Sequence, residues 1–166
     1  GVCTFLPGHQ TLGEGYFGPR GGMPLLQGEV AGRLDWEGGP LFAFLVIGPN
    51  GTLNITGDKD KYLNEASITN YGIIRWSGQG AIIVNDDLLI PDIPAIVNMP
   101  GAVFEILSDA PLRLNTGYYY EPGHIFLFQN AGILRKVGGP GVTTFESVRL
   151  ENTGLVDVPI GTLRLV

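Results

Sequence analysis

Three consecutive tyrosines form the first candidate binding site in the sequence. Tyr118, Tyr119 and Tyr120 lie in the longest interruption between predicted strands, beside Gly117 and Pro122-Gly123. Because successive side chains of an extended chain point to opposite faces, three in a row cannot all enter a core. Exposed tyrosines suit sugar stacking or a protein contact, and loops often carry function. We therefore expect a ligand-binding loop here, with a loop packed down on the coil beneath as the alternative.

Acidic residues form a second candidate group. They are Asp58, Asp60, Asp86, Asp87 and Asp92. Carboxylates are ligands of calcium, which makes Asp86 and Asp87 weak calcium candidates. The pair follows Asn85 in a predicted turn, however, and turns favour Asp and Asn for their backbone conformation. We favour the turn interpretation and predict no metal site.

No catalytic constellation is recognisable. His9 and His124 are the only histidines, they lie far apart, and neither has a metal-ligand spacing around it. Cys3 is the only cysteine, which excludes an internal disulfide and a cysteine-based metal cluster. We find no serine elbow, phosphate loop or dinucleotide fingerprint. The sequence therefore predicts no catalytic residues and no cofactor.

Composition narrows the class of protein and its partners. The net charge of −6, without a basic face, argues against a nucleic-acid partner. No apolar run approaches the roughly 20 residues that a membrane span needs. The 26 glycines and 12 prolines of the chain separate short apolar runs, as in turn-rich all-β proteins. The chain does not begin with Met and shows no signal peptide, so we expect a mature or excised piece of a longer protein.

Six short segments align and alternate between apolar and polar residues. They are 32–36, 51–55, 72–76, 102–106, 132–136 and 154–158. The third position is always apolar: Leu34, Leu53, Ile74, Phe104, Leu134 and Val156. The fourth is always polar: Asp35, Asn54, Arg75, Glu105, Arg135 and Asp157. The fifth is apolar except at Lys136, and it places Trp36 and Trp76 in the predicted core. This in–out–in pattern is typical of half-buried strands.

An asparagine precedes five of the six segments. The five are Asn50, Asn70, Asn98, Asn130 and Asn152. Asn and Gly tolerate left-handed backbone conformations, so we predict that these asparagines turn the chain sharply at one repeated corner.

The glycines at the segment starts, with Gly101 one place early, recur roughly every 19 to 31 residues, a range that suits the coils of a solenoid. Two further apolar strands fit between starts, for example 142–145 and 148–150 after Gly132. Three strands and three turns per coil predict an all-β, parallel β-helix of about six coils. The alternative is an antiparallel sandwich, which also has short strands and glycine turns, but it gives no reason to repeat one corner.

The segments 50–56, 130–136 and 152–158 resemble the repeats of large bacterial surface β-helix proteins. Those proteins include autotransporter passengers and filamentous-haemagglutinin-like adhesins. The resemblance extends from about Gly28 to the C terminus. It implies a right-handed coil, export, and an extracellular or cell-surface location, and it brings no catalytic residues with it.

Residues 1–27 do not match the repeat. Glycines crowd this segment, with Pro7 and Pro19 between them. We predict a cap over the first coil, or alternatively an arm that docks on a neighbouring molecule. The domain division is therefore an N-terminal cap or arm over 1–27 and a solenoid over 28–166.

Two functions follow as hypotheses. The first is a non-catalytic structural or adhesive surface module, a filament or oligomer subunit that self-associates through its coil ends or its N-terminal arm. The second is a carbohydrate-binding or polysaccharide-processing β-helix that uses the loop of Tyr118, Tyr119 and Tyr120, with a glycan as its partner.

Overall fold

The computed structural model describes residues 2–5, 9–12, 26–64, 66–85, 96–115 and 126–166, with side chains from residue 28 onward. The described strands are short and follow one another closely along the chain. In chain order they are β1 (Val2–Phe5), β2 (His9–Leu12), β3 (Leu26–Val30), β4 (Arg33–Trp36), β5 (Gly39–Leu41), β6 (Ala43–Ile47), β7 (Thr52–Ile55), β8 (Lys61–Asn64), β9 (Ser67–Asn70), β10 (Ile73–Trp76), β11 (Ile82–Asn85), β12 (Ile96–Asn98), β13 (Val103–Ile106), β14 (Leu112–Leu114), β15 (Phe126–Asn130), β16 (Ile133–Lys136), β17 (Val142–Glu146), β18 (Val148–Asn152), β19 (Leu155–Asp157) and β20 (Thr162–Leu165).

The strands form three parallel sheets. Sheet A has the order β1-β3-β6-β9-β12-β15-β18, sheet B β2-β4-β7-β10-β13-β16-β19, and sheet C β5-β8-β11-β14-β17-β20. From β3 to β20 the chain visits sheets A, B and C in turn six times. The structure is thus a parallel β-solenoid of about six coils, which confirms the predicted fold class. The hand of the coil stays a prediction.

The observed register of sheet B is the predicted alignment. Leu34, Leu53 and Ile74 pair in one column, which continues through Phe104, Leu134 and Val156. Period-two alternation sends that column inward and its polar neighbours outward. Trp36 and Trp76 are both buried, as predicted.

The interior is a continuous apolar column to which all three sheets contribute. In its middle, Phe104 from sheet B meets the ring of Phe128 from sheet A edge-on, with centroids 5.3 Å apart. Phe128 in turn stacks on Phe145 from sheet C at 5.7 Å. Each fully buried aromatic ring contributes about 2–3 kcal/mol of hydrophobic stabilisation. A single coil could not bury these rings, so the coils depend on one another.

The corner between sheets A and B is too tight for side chains. A Cβ added to Gly72 would lie 2.4 Å from the main-chain oxygens of Gly48 and Gly51. A Cβ added to Gly132 would lie 2.4 Å from that of Ala102. Stacked backbones therefore require glycine at these two positions, whereas Ala102 fits at the same position of the coil between them.

Two strands precede the predicted start of the solenoid. β1 pairs in parallel with β3, and β2 with β4, so that His9 lies in register with Arg33. β1 thus extends sheet A beyond β3, and β2 extends sheet B beyond β4. Whether the remainder of residues 1–27 forms a cap or an arm stays a prediction.

Candidate functional site

Four asparagines stack at the C-terminal ends of the strands of sheet A, a column that we call the asparagine ladder. Asn70, Asn98, Asn130 and Asn152 end successive strands and lie in register. The Nδ2 amide of each donates to the Oδ1 of the next, at 2.8, 2.7 and 2.6 Å. Asn70, Asn98 and Asn130 are buried, and a buried amide without partners would cost about 1–3 kcal/mol. The ladder supplies those partners from coil to coil.

The ladder also ties sheet A to sheet B of the next coil. Asn70, Asn98 and Asn130 each donate a second bond of 3.1 Å to a main-chain oxygen there. The acceptors are Val103, Ile133 and Leu155. Asn152 lies in the last coil, and its Nδ2 donates instead to Gly154 within that coil, at 3.1 Å.

The predicted reason for these asparagines was wrong. Among the described residues, Ser147 is the only non-glycine with a positive φ, so the ladder asparagines are not left-handed turn residues. They are strand residues whose side chains hydrogen-bond to one another from coil to coil. Asn50 does not belong to the ladder: it lies exposed in a turn, and Ile47 occupies the position in register with Asn70.

Lys136, the exception in the fifth column, is fully buried at the corner between sheets B and C. Its ammonium lies 2.8 Å from Asp109 Oδ1 and donates to the main-chain oxygens of Ser108 (3.0 Å) and Gly138 (2.9 Å). It also donates to Thr143 Oγ1 at 3.1 Å. The hydrogen bond from Lys136 is the main cause that lowers the pKa of the Asp109 carboxyl, which also accepts a main-chain bond. This Lys136 cluster is the densest polar constellation in the described coils.

A second lysine is buried at the same corner, three coils earlier. Lys61 Nζ donates to the main-chain oxygens of Gly57 (3.0 Å) and Lys59 (2.6 Å). Burial lowers the pKa of Lys61, and the nearby carboxylates of Asp60 and Asp58 oppose that shift only in part. The ammonium thus closes a turn, and no carboxylate in the described part of the chain contacts it directly.

The outward column of sheet B is a line of charges. Arg75 Nε lies 2.9 Å from Glu105 Oε2, and Arg135 Nη2 lies 3.6 Å from Asp157 Oδ2. Such exposed pairs contribute about 0–1 kcal/mol each. They add another coil-to-coil contact but do not converge on a common point.

The last coil presents an apolar end, which we call the C-terminal face: the outer edges of β18, β19 and β20. No described strand pairs with these edges. Exposed large apolar side chains concentrate here: Leu155, Val158, Ile160, Leu165 and Val166. Leu150, Val156 and Leu163 are only partly buried and continue the core to the open end.

The predicted site residues lie largely outside the described part of the chain. The described part of the chain does not include the loop of Tyr118, Tyr119 and Tyr120 or the calcium candidates Asp86 and Asp87. Their roles stay predictions. Asp60 is described, and its Oδ1 accepts a bond from the amide of Ala81 at 2.9 Å, as befits a turn residue.

Within the described ranges, no three His, Cys, Asp or Glu residues are placed to hold a metal ion together. Those ranges also contain no helix that is long and apolar enough to cross a membrane. The Lys136 cluster and the asparagine ladder were missed from sequence, because each joins residues about 20 to 35 positions apart whose register is visible only in three dimensions.

Comparison with known protein families, curated proteins and solved structures finds no match to this chain.

Proposed function

We propose that this chain is a non-catalytic structural or adhesive module of the cell surface, one that keeps a stiff shape and associates with further copies. The observation that carries the proposal is the use of polar side chains in the described coils. The asparagine ladder, the Lys136 cluster and the outward charges of sheet B all connect one coil to another. Polar side chains that link one coil to the next are typical of a load-bearing scaffold.

The interior supports the same proposal. The core runs as one cluster through all six coils, from Val30 to Val148, with partly buried Leu163 at its end. Because each coil is sandwiched between neighbours, opening a middle coil breaks contacts on both of its sides. Such a chain resists local opening, and local opening is what proteases require.

The extracellular or cell-surface location in this proposal rests on the resemblance of the repeats to surface β-helix proteins. Resistance to proteases is the property that such a location demands. Self-association through the coil ends or the N-terminal arm is the part of the proposal that rests on the sequence prediction.

Native-state proteolysis of the parent chain and two matched variants tests the proposal. Asn98→Ala removes a buried rung of the ladder and should lower the free energy of unfolding by about 3 kcal/mol. Cleavage within the coils should then accelerate by roughly a hundredfold, where it follows the population of the open state. Asn152→Ala, the same change in the exposed last rung, should have an effect of less than about 1 kcal/mol.

Two results would contradict the proposal. One is cleavage of the parent chain within the described coils as fast as that of an unfolded chain. The other is release of reducing ends from a panel of polysaccharides by the parent chain, which would make it an enzyme.

A further inference from the structure

Two tripeptides of the chain match the acceptor sequence for an N-linked glycan, which is Asn-Xaa-Ser or Asn-Xaa-Thr with any residue except proline in the middle. They are Asn50-Gly51-Thr52 and Asn54-Ile55-Thr56. The first spans the turn that leads into β7, and the second begins within that strand. A glycan is bulky and hydrophilic, so a folded chain accepts it only on an asparagine whose carboxamide is free and faces solvent. The structure separates the two sites on that criterion.

The first site lies on an exposed turn. Pro49 and Asn50 are both exposed, and the Asn50 side chain makes no hydrogen bond within the described part of the chain. The main chain closes the turn instead, because the Gly51 amide donates to the Gly48 oxygen at 2.8 Å. Thr52, whose hydroxyl completes the site, is half-buried on the outward face of sheet B. Addition of a sugar to Asn50 would therefore break no described hydrogen bond.

The second site is locked into sheet B. Asn54 lies in register with Asp35 on one side and Arg75 on the other. Its Nδ2 donates to Asp35 Oδ1 at 2.7 Å, and the same carboxylate accepts two bonds from Arg33, at 2.9 and 3.0 Å. The nitrogen that would accept a sugar is the one that donates to Asp35, so transfer to Asn54 requires that contact to open. Because β7 is paired with β4 and β10, its backbone is also held on both sides.

The ladder asparagines differ from Asn50 in two independent respects. Asn70, Asn98 and Asn130 are buried, whereas Asn50 is exposed. The residue two places after a ladder asparagine also carries no hydroxyl: it is Gly72, Pro100, Gly132 or Gly154. Exposure and the acceptor sequence thus coincide at the one corner asparagine that does not serve the ladder.

We propose that Asn50 is an acceptor for an N-linked oligosaccharide and that Asn54 is not. In the transfer, Asn50 Nδ2 forms a bond to the anomeric carbon of a sugar, and the bond from that carbon to the diphosphate of a lipid-linked oligosaccharide breaks. The lipid diphosphate leaves, and one amide proton passes to a base of the transferase. The inference rests on the cell-surface location in the proposed function, because glycans of this kind are added to exported chains.

Enzymatic transfer to the folded chain tests the proposal. The purified 166-residue chain is incubated with an oligosaccharyltransferase and a dolichyl-diphosphate oligosaccharide. Intact mass and glycopeptide mapping then locate the product. We expect one glycan per chain, at Asn50, and transfer to Asn54 that is slower by more than about tenfold, because its strand must open first. A synthetic peptide of residues 48–58 contains both sites without the fold and reports the preference of the enzyme itself.

Matched variants assign the site. Asn50→Gln should abolish transfer, and Asn54→Gln should leave it unchanged. Thr52→Val and Thr56→Val remove the hydroxyl of one site each without touching either asparagine, and only Thr52→Val should abolish transfer. Urea unfolding confirms that each variant is folded. The glycosylated parent should keep the urea midpoint of the unmodified parent, since the Asn50 side chain forms no described hydrogen bond.

Three results would overturn the proposal. One is a folded parent that stays unmodified while the peptide is modified, and another is a peptide that is not modified at Asn50. The third is transfer to Asn54 in the folded chain at a rate similar to that at Asn50. The proteolysis test of the structural module is independent of all three, because it measures the stability of the coils and involves no glycan.

Discussion

Two lysines are buried at the same corner of the solenoid, between sheets B and C, and the protein satisfies them differently. Lys136 has a carboxylate, a hydroxyl and two main-chain oxygens within 3.1 Å. Lys61 has two main-chain oxygens, from Gly57 and Lys59, and no carboxylate of the described residues lies in direct contact with it. The surroundings differ as well: Ser108 is buried, whereas Gly57 and Lys59 are exposed.

The difference shows that burial alone does not define the role of a charged group in a repeated corner. The Lys136 ammonium is the centre of a network that joins two coils through Asp109, Ser108 and Thr143. The Lys61 ammonium closes one turn whose carbonyls could turn to water in its absence. Removing a buried charge is costly when it leaves the groups bonded to it uncompensated. A buried charge that leaves no such group behind can often be replaced by an apolar side chain.

The same substitution at both lysines should therefore have very different effects. Lys136→Met removes the ammonium from Asp109 and from the buried main-chain oxygen of Ser108, which keeps Thr143 as a donor, and we expect a loss of about 1–3 kcal/mol in the free energy of unfolding. Lys61→Met should change it by no more than about 1 kcal/mol in either direction. Urea unfolding monitored by tryptophan fluorescence measures both. Equal losses for the two variants would refute the distinction.

Lowering the pH should also distinguish the Lys136 corner from the Lys61 corner. The pKa of Asp109 is lowered in the folded state, chiefly by the hydrogen bond from Lys136. Its stabilising contribution is therefore present above the ordinary carboxyl value of about 3.9 and is lost as the pH falls through the folded value. We expect Asp109→Asn to be less stable than the parent at neutral pH, and the gap to close on acidification. The Lys61→Met variant should lose stability in acid in parallel with the parent, measured by urea midpoints from pH 7 downward.

The sequence is sufficient to predict the fold because the fold depends on local alternation. The column Leu34 to Val156 could be read from six short segments, and the solenoid aligns those segments in that register. Four corner glycines are also visible, since the close backbone contacts at Gly51, Gly72, Gly132 and Gly154 leave no room for a Cβ, whereas Ala102 fills the same position in the fourth coil.

The polar networks could not be predicted in the same way. Lys136 departs from its column, but nothing in the sequence shows that Asp109 and Thr143 will surround it, because that requires the register of two sheets. Asn50 was grouped with the ladder asparagines by mistake. It lies just before Gly51, much as Asn130 lies two residues before Gly132, but the residue in register with the ladder is Ile47, three positions earlier. Spacing to the glycine is no substitute for register within sheet A.

A smaller effect is expected at the hydroxyl of the Lys136 cluster. Thr143 Oγ1 accepts a hydrogen bond from Lys136 and donates one to the main-chain oxygen of Ser108. Thr143→Val keeps the shape of the side chain but removes both bonds, and we expect a cost of about 1–2 kcal/mol. Thr69→Val, on the outer face of sheet A, serves as the control. A double-mutant cycle with Lys136→Met should show coupling, and strict additivity would mean that the two side chains do not form one network.

The smallest expected effect is alkaline and belongs to Lys61. Because burial lowers its pKa in the folded state, the unfolded chain holds this proton more tightly. Between the folded value and the ordinary lysine value of about 10.4, stability gained from Lys61 should rise with pH. Other groups titrate in that range too, so the quantity to measure is the difference in urea midpoint between the parent and Lys61→Met. We expect that difference to move in favour of the parent as the pH rises from 8 to 10.5, since only the parent can shed the buried charge. A difference that stays constant with pH would contradict the lowered pKa of the Lys61 ammonium.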